Sequence, residues 1–149
     1  MEHYDRKYYA HSLEEKPPSE WQLLEEHLKN VAEMTAEFAD CFGASKYGFI
    51  IGRNHDLGKG TKHWQAYLRR VNDIVDEFAK FYDGHPVHAA VGAQWLYKHS
   101  TEVGKLLAYC IAGHHGGLPN WNGTVTSSLE SRLRESLPVP VRERGLKQI

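Results

Sequence analysis

Ser45-Lys46-Tyr47-Gly48-Phe49-Ile50-Ile51-Gly52-Arg53-Asn54-His55-Asp56-Leu57-Gly58-Lys59 is a helical stretch that runs into an imidazole and a carboxylate side by side. The pattern predicts a helix from about Ser45 to the His55-Asp56 pair, broken there by Gly58 and Gly60. Neutral imidazole nitrogen and ionised carboxylate oxygen are ligands of the first-row divalent metals. A carboxylate can bridge two ions where a single imidazole cannot, so the pair is the natural centre of a two-metal site.

Outward from this stretch the hydrophobic period stays helical and no segment sustains strand alternation, which makes the fold class all-α, a bundle of about five to six helices. Upstream, after Pro17-Pro18, Ser19 and Gln22 fit a capping box. They predict a helix from about Glu20 to Phe42, stopped by Gly43, with a seam of Leu23, Leu24, Val31, Met34 and Phe38. Downstream, Thr61 caps a helix that holds Trp64, Tyr67, Leu68, Val71, Ile74, Val75 and Phe78 and stops near Gly84. Pro86 suits the first turn of the next helix, which reaches about Lys98. Another spans about Thr101 to Ala112 and delivers His114 and His115 at its end, a loop covers 117–126, and Ser127 to Ser136 is an optional sixth helix. With no repeat and no linker, residues 1–136 read as one domain and 137–149, which hold Pro138 and Pro140 and a charged ending, as a frayed tail.

Ten histidines in 149 residues is an excess, and helical phase sorts them. His27 lies four residues after Leu23 and four before Val31, on the apolar stripe. His88 precedes Val91, Gly92 and Trp95 at inward offsets, and His114 and His115 follow Cys110 and Ile111 by four residues each. Any one of these is compatible with a core histidine bonded to a backbone carbonyl. Several together in one small core are costly to desolvate without a common partner, and a metal is that partner. His3, His63 and His99 fall on polar or terminal stretches and read as solvated; His11 and His85 stay undecided, His85 being the rival to His88.

A net charge of -1 leaves no global basic field to grip a nucleic acid, so a polyanion needs a metal, a local patch or a partner. Cys41 and Cys110 sit in apolar helical contexts, form no CxxC and read as reduced core residues, which excludes a structural zinc finger. The N-terminus, Met1-Glu2-His3-Tyr4-Asp5, lacks a basic n-region and an apolar h-region, and no run approaches the ~18 apolar residues of a membrane span. The expected location is cytoplasmic.

The order of these motifs resembles the HD phosphohydrolase superfamily. More narrowly, Tyr8-Tyr9-Ala10-His11-Ser12, Leu23-Leu24-Glu25-Glu26-His27-Leu28, His88 ahead of Val91-Gly92-Ala93, Ile111-Ala112-Gly113-His114-His115-Gly116-Gly117-Leu118-Pro119 and Ser128-Leu129-Glu130-Ser131-Arg132-Leu133 resemble the HD nuclease domain of the CRISPR-associated helicase-nuclease of type I systems. The likeness covers about residues 8 to 134. It implies one metal position held by His27, His55 and Asp56, and a second by the bridging Asp56 with His88, His114 and His115. In that family a late aspartate completes the first position, but no aspartate follows Asp83 here. Family members tend to be longer and joined to a helicase, so the chain is expected to be a truncated or minimal HD module.

The chemistry implied is metal-dependent cleavage of a phosphodiester in single-stranded DNA, with a helicase subunit or domain and a guide-RNA surveillance complex as partners. Paired divalent ions acidify water, hold a scissile phosphate and offset charge at the leaving oxygen. Catalytic roles are expected for Asp56 and for Lys59, a point charge for a phosphate oxygen whose bland alternative is a solvated loop lysine. One or two ions are expected, Mn, Ni, Co or Fe in preference to Mg, because the donors are nitrogen-rich. Trp64, Tyr67, Trp121 and Arg69-Arg70 are candidates to stack on bases and touch the backbone, although aromatics at helical spacing are more often core. Two alternatives remain: an HD phosphohydrolase acting on nucleotides, and a non-catalytic HD binding module. A serine hydrolase is excluded, since no Gly-x-Ser-x-Gly elbow is present.

Overall fold

The computed structural model describes residues 7–75, 82, 84, 86, 88–123 and 128–134. Among these run β1 (Tyr9–His11), β2 (Gln22–Leu23), α1 (Leu24–Asp40), α2 (Ser45–Asn54), a 3-10 turn (Leu57–Gly60), α3 (Lys62–Arg70), α4 (Ala89–His99), α5 (Glu102–Ala112) and α6 (Leu129–Arg134). The class is all-α, with one short antiparallel ribbon of β1 and β2. No described helix is long and apolar enough to cross a membrane.

The first helix starts later than its capping box predicts. Gln22 and Leu23 pair with His11 and Tyr9, Ser19 lies in a 3-10 turn over Pro18–Glu20, and no side chain caps α1. A two-residue strand is too short to leave an alternation in the sequence. The expected seam is rotated as well: Leu24, Leu28, Ala32 and Ala39 are buried, while Met34 is 48% and Phe38 68% exposed. Small residues decide the facing. A Cβ on Gly52 would lie 2.3 Å from Thr35 Oγ1 and 2.7 Å from Ala32 Cα, so α2 touches the backbone of α1. The Thr35 hydroxyl sits 2.7 Å from the Val31 carbonyl and 2.8 Å, across the interface, from that of Gly48.

Gly43 ends α1 as expected, in the left-handed region, with Gly43 N bonded to Asp40 O and Ala44 N to Ala39 O. The same double bond ends α3 much earlier than predicted. Asp73 takes the left-handed position, Asp73 N bonds Arg70 O, and Ile74 N bonds Arg69 O. Aspartate in the place usual for glycine hides the stop from the sequence. Val71 and Val75 are consequently exposed, and Phe78 lies outside the described residues. Thr61 does cap α3, accepting from Trp64 N at 3.2 Å. Pro86 precedes α4 instead of opening it, and His88 is the N-cap. Both cysteines are free but exposed, not core residues, Cys41 just past α1 and Cys110 on the outer side of α5. His3, His85 and the expected tail at 137–149 lie outside the described residues.

The main core packs Ala93 and Leu96 of α4 against Leu107, Ala108, Ile111 and Ala112 of α5 and Leu129 of α6. Arg132 donates to the Ala112 carbonyl at 2.7 Å and so caps the end of α5 from which His114 and His115 emerge. A second cluster of Tyr9, Trp21 and Leu68 ties β1 to α3.

Candidate metal centre

Asp56 begins the 3-10 turn after α2, 3% exposed, and every ligand predicted from the sequence comes to it. The turn presses against the start of α4 so closely that a Cβ on Gly58 would lie 2.2 Å from the His88 carbonyl oxygen. That contact sets His88 beside Asp56. His27 arrives from α1 on the face that packs against α2, and His114 and His115 from the turn after α5.

The two carboxylate oxygens face different groups. Oδ2 lies 3.1 Å from His27 Nε2 and 3.2 Å from His55 Nε2, and those two nitrogens are 3.2 Å apart. Oδ1 lies 3.6 Å from His88 Nε2 and 3.5 Å from His114 Nε2, and His115 Nε2 lies 2.7 Å from His88 Nε2. Donors that share an ion at 2.0 to 2.2 Å stand roughly 3.0 to 3.5 Å apart; the group at Oδ2 has that spacing, and the group at Oδ1 lies close to it except for His88 and His115, whose nitrogens are at hydrogen-bond distance. Two further features fit a metal. Asp56 Oδ1 is buried and, among the described residues, accepts no hydrogen bond. His55 Nδ1 donates to the Gly52 carbonyl and His114 Nδ1 to that of Ile111, each at 2.7 Å. A carbonyl only accepts, so in the neutral rings the proton is on Nδ1 and a bare Nε2 faces a carboxylate oxygen. Two lone pairs face each other favourably only around a cation, the arrangement metal-binding histidines adopt.

Lys59 is no solvated loop residue. It is 4% exposed, with Nζ 2.7 Å from Asp56 Oδ2, 3.2 Å from His11 Nε2 and 5.3 Å from the centroid of the Trp64 ring. Gln65, which the sequence reading passed over, holds this corner. Its side chain accepts from Tyr9 N at 3.1 Å and donates to the carbonyls of Tyr9 and Lys59, each at 2.8 Å, tying β1 to the turn. His11 is the other residue missed. Its ligand atom lies within 4.8 Å of those of His27 and Asp56, just as those of Asp56, His88, His114 and His115 cluster on the opposite side. The Tyr-Tyr-Ala-His-Ser motif at residues 8–12 carries the signal that could have found it.

Burial raises the Asp56 carboxyl, but the surrounding His114, His27, His55 and Lys59 side chains outweigh it and hold the group ionised far below the ordinary range. Burial, helped by the charges of Lys59, His115 and His114, lowers His88 to about 4 against the pull of Asp56. His115 is lowered by burial and by His114. His114 is raised: burial opposes protonation, but the Asp56 carboxylate and the Ile111 carbonyl prevail. The side of His114 and His115 is open to solvent, whereas the side of His27 and His55 is more enclosed.

The residues expected to stack on a nucleic acid are mostly committed elsewhere. Trp64 is buried against His88, its ring centroid 4.5 Å away, and Arg70 donates to the carbonyls of Tyr82 and Gly84. Arg69 bonds Gln65 and covers the Tyr9 ring. Trp121 packs on Tyr109 and remains partly exposed. His63 and His99 lie away from the centre, stacked on Tyr82 and Trp95.

No curated protein matches the chain. The family model described as "Cas3, HD domain" matches residues 21–144, most of the 149. An HD pair at the end of a helix, with a histidine and aspartate cluster that could hold a metal, is what a metal-dependent HD nuclease domain requires. The chain belongs to the Cas3 HD-domain family.

Proposed function

We propose that this chain is a metal-dependent phosphodiesterase that cleaves single-stranded DNA, as the nuclease component of type I CRISPR interference working with a helicase and a guide-RNA surveillance complex. The observation that carries the reading is the division of Asp56, whose Oδ2 meets His27 and His55 while Oδ1 faces His88 and His114. His27, His55 and Asp56 would hold one divalent ion, and Asp56, His88, His114 and His115 another. The ions, when bound, acidify water and offset charge on the phosphate. Asp56 would hold both ions, and its full ionisation keeps both oxygens available as donors. The Ile111 and Gly52 carbonyls fix the His114 and His55 tautomers. Lys59, anchored on Asp56, brings a positive charge for a nonbridging phosphate oxygen. The open side at His114 and His115 suits a polymer, which needs access without engulfment. A donor set dominated by imidazole favours Mn, Ni, Co or Fe over Mg.

A second reading is a non-catalytic module with one ion, in which His27, His55 and Asp56, with no aspartate among residues 84–149 to join them, hold none. Metal-stripped protein reloaded with manganese, nickel or cobalt is to be incubated with single-stranded DNA and with mononucleotides. Metal-dependent cleavage of DNA that is lost in Asp56→Ala supports the nuclease. Equal cleavage by Asp56→Ala contradicts it, turnover of nucleotides alone assigns a nucleotide phosphohydrolase, and no turnover with one bound ion assigns the binding module.

A further inference from the structure

We propose that His11 is a ligand of the ion on the His27 side, supplied from the N-terminal strand. The inference rests on the two-ion reading above and completes it. His27 and His55 share Asp56 Oδ2 on this side; the ligand atoms of His11, His27 and Asp56 all lie within 4.8 Å of one another, and the His11 ring packs edge-on against that of His27 with centroids 4.9 Å apart. Lys59 borders the same group of donors. Its ammonium bonds both Asp56 Oδ2, at 2.7 Å, and His11 Nε2, at 3.2 Å. His11 Nε2 therefore presents its lone pair to the ammonium that also sits on the carboxylate oxygen shared by His27 and His55.

The strand that carries His11 is pinned in place. Ala10 is fully buried, Leu24 N bonds the Tyr8 carbonyl at 2.8 Å, and the Gln65 amide grips both polar groups of Tyr9. An imidazole delivered by such a strand is a preorganised donor. An imidazole where a carboxylate could stand has a chemical consequence. It lacks the negative charge and the oxygen donor, so this position discriminates further against magnesium and toward cobalt, nickel or manganese.

The test titrates metal-stripped wild type, His11→Ala and His11→Asp with cobalt(II), following heat by calorimetry and the visible absorption of the ion. Wild type is expected to bind two equivalents. In His11→Ala one equivalent should keep its affinity while the other weakens by about 10-fold or more with a changed visible band. His11→Asp should recover that equivalent and bind magnesium better than wild type. Two equivalents of unchanged affinity and spectrum in His11→Ala overturn this proposal alone; a single equivalent in wild type overturns the two-ion reading and His11 with it. If His11→Ala melts early, His11→Phe keeps the ring contact with His27 and removes only the donor, and the same loss is expected.

Discussion

Asp56 has two oxygens with different neighbours, and one substitution exposes what they share. Asp56→Asn keeps the shape and removes the charge, so both ions should be lost together. Losing an outer partner of a ligand already costs about 10 to 100-fold in affinity, and losing the bridging ligand should exceed that. Calorimetric titration checks it, and an unchanged first equivalent would place that ion away from Asp56. Protonation gives a second handle. An unfolded histidine titrates near 6.5, whereas native His88 stays neutral until about 4. Between those values the unfolded chain takes up a proton that the native one refuses, so His88 makes the metal-free protein less stable as pH falls. His11 and His115, also lowered, act in the same direction. His114 is raised, so its contribution is present below 6.5 and is lost as pH rises through its native value, which opposes the other three. The urea midpoint of metal-stripped protein is expected to be lower at pH 5 than at pH 7, and a higher one at pH 5 contradicts the burial of His88. Helical phase made His27, His114 and His115 legible. His88 reached the site by another route, as the N-cap of α4. His11 escaped because phase cannot be read in a three-residue strand.

Among the elements, the close contact of α1 with α2 sets the distance between His27 and the His55-Asp56 pair. Gly52→Ala would drive a methyl into the Thr35 hydroxyl and the Ala32 backbone. Overpacking of this kind costs about 1 to 3 kcal/mol, readable as a lower urea midpoint. Weakened metal binding on the His27 side should accompany it. Thr61→Ala removes the cap that accepts from Trp64 N and should cost about 1 kcal/mol. An unchanged midpoint would mean that water replaces the cap. The starts of α2 and α3, the stop at Gly43 and the bounds of α5 were legible because helical period, the Thr61 cap and glycine stops are local to the chain. The end of α3 and the seam of α1 were not. The first uses Asp73 where glycine is usual, and the second follows from Gly48 and Gly52 of another helix, which no window on α1 contains.

At the level of the molecule, the centre joins β1, α1, the turn after α2, the start of α4 and the end of α5, so ions bound there would crosslink most of the chain. A ligand at 100 times its Kd stabilises by about 2.7 kcal/mol, and each kcal/mol moves Tm by about 2 to 4 °C in a domain of this size. Chelation should therefore lower Tm by roughly 5 to 10 °C, and scanning calorimetry with and without chelator reads it. The all-α class was legible from period alone, and the family match over residues 21–144 accords with it. The β1–β2 ribbon beside the centre was not, because strands of three and two residues are too short to leave an alternation. The central claim, that Asp56 bridges two ions, is tested most directly by anomalous diffraction from crystals soaked in manganese. Two peaks roughly 3.5 to 4 Å apart, one beside His27 and His55 and one beside His88, His114 and His115, are predicted. A single peak, or peaks away from Asp56, would contradict it.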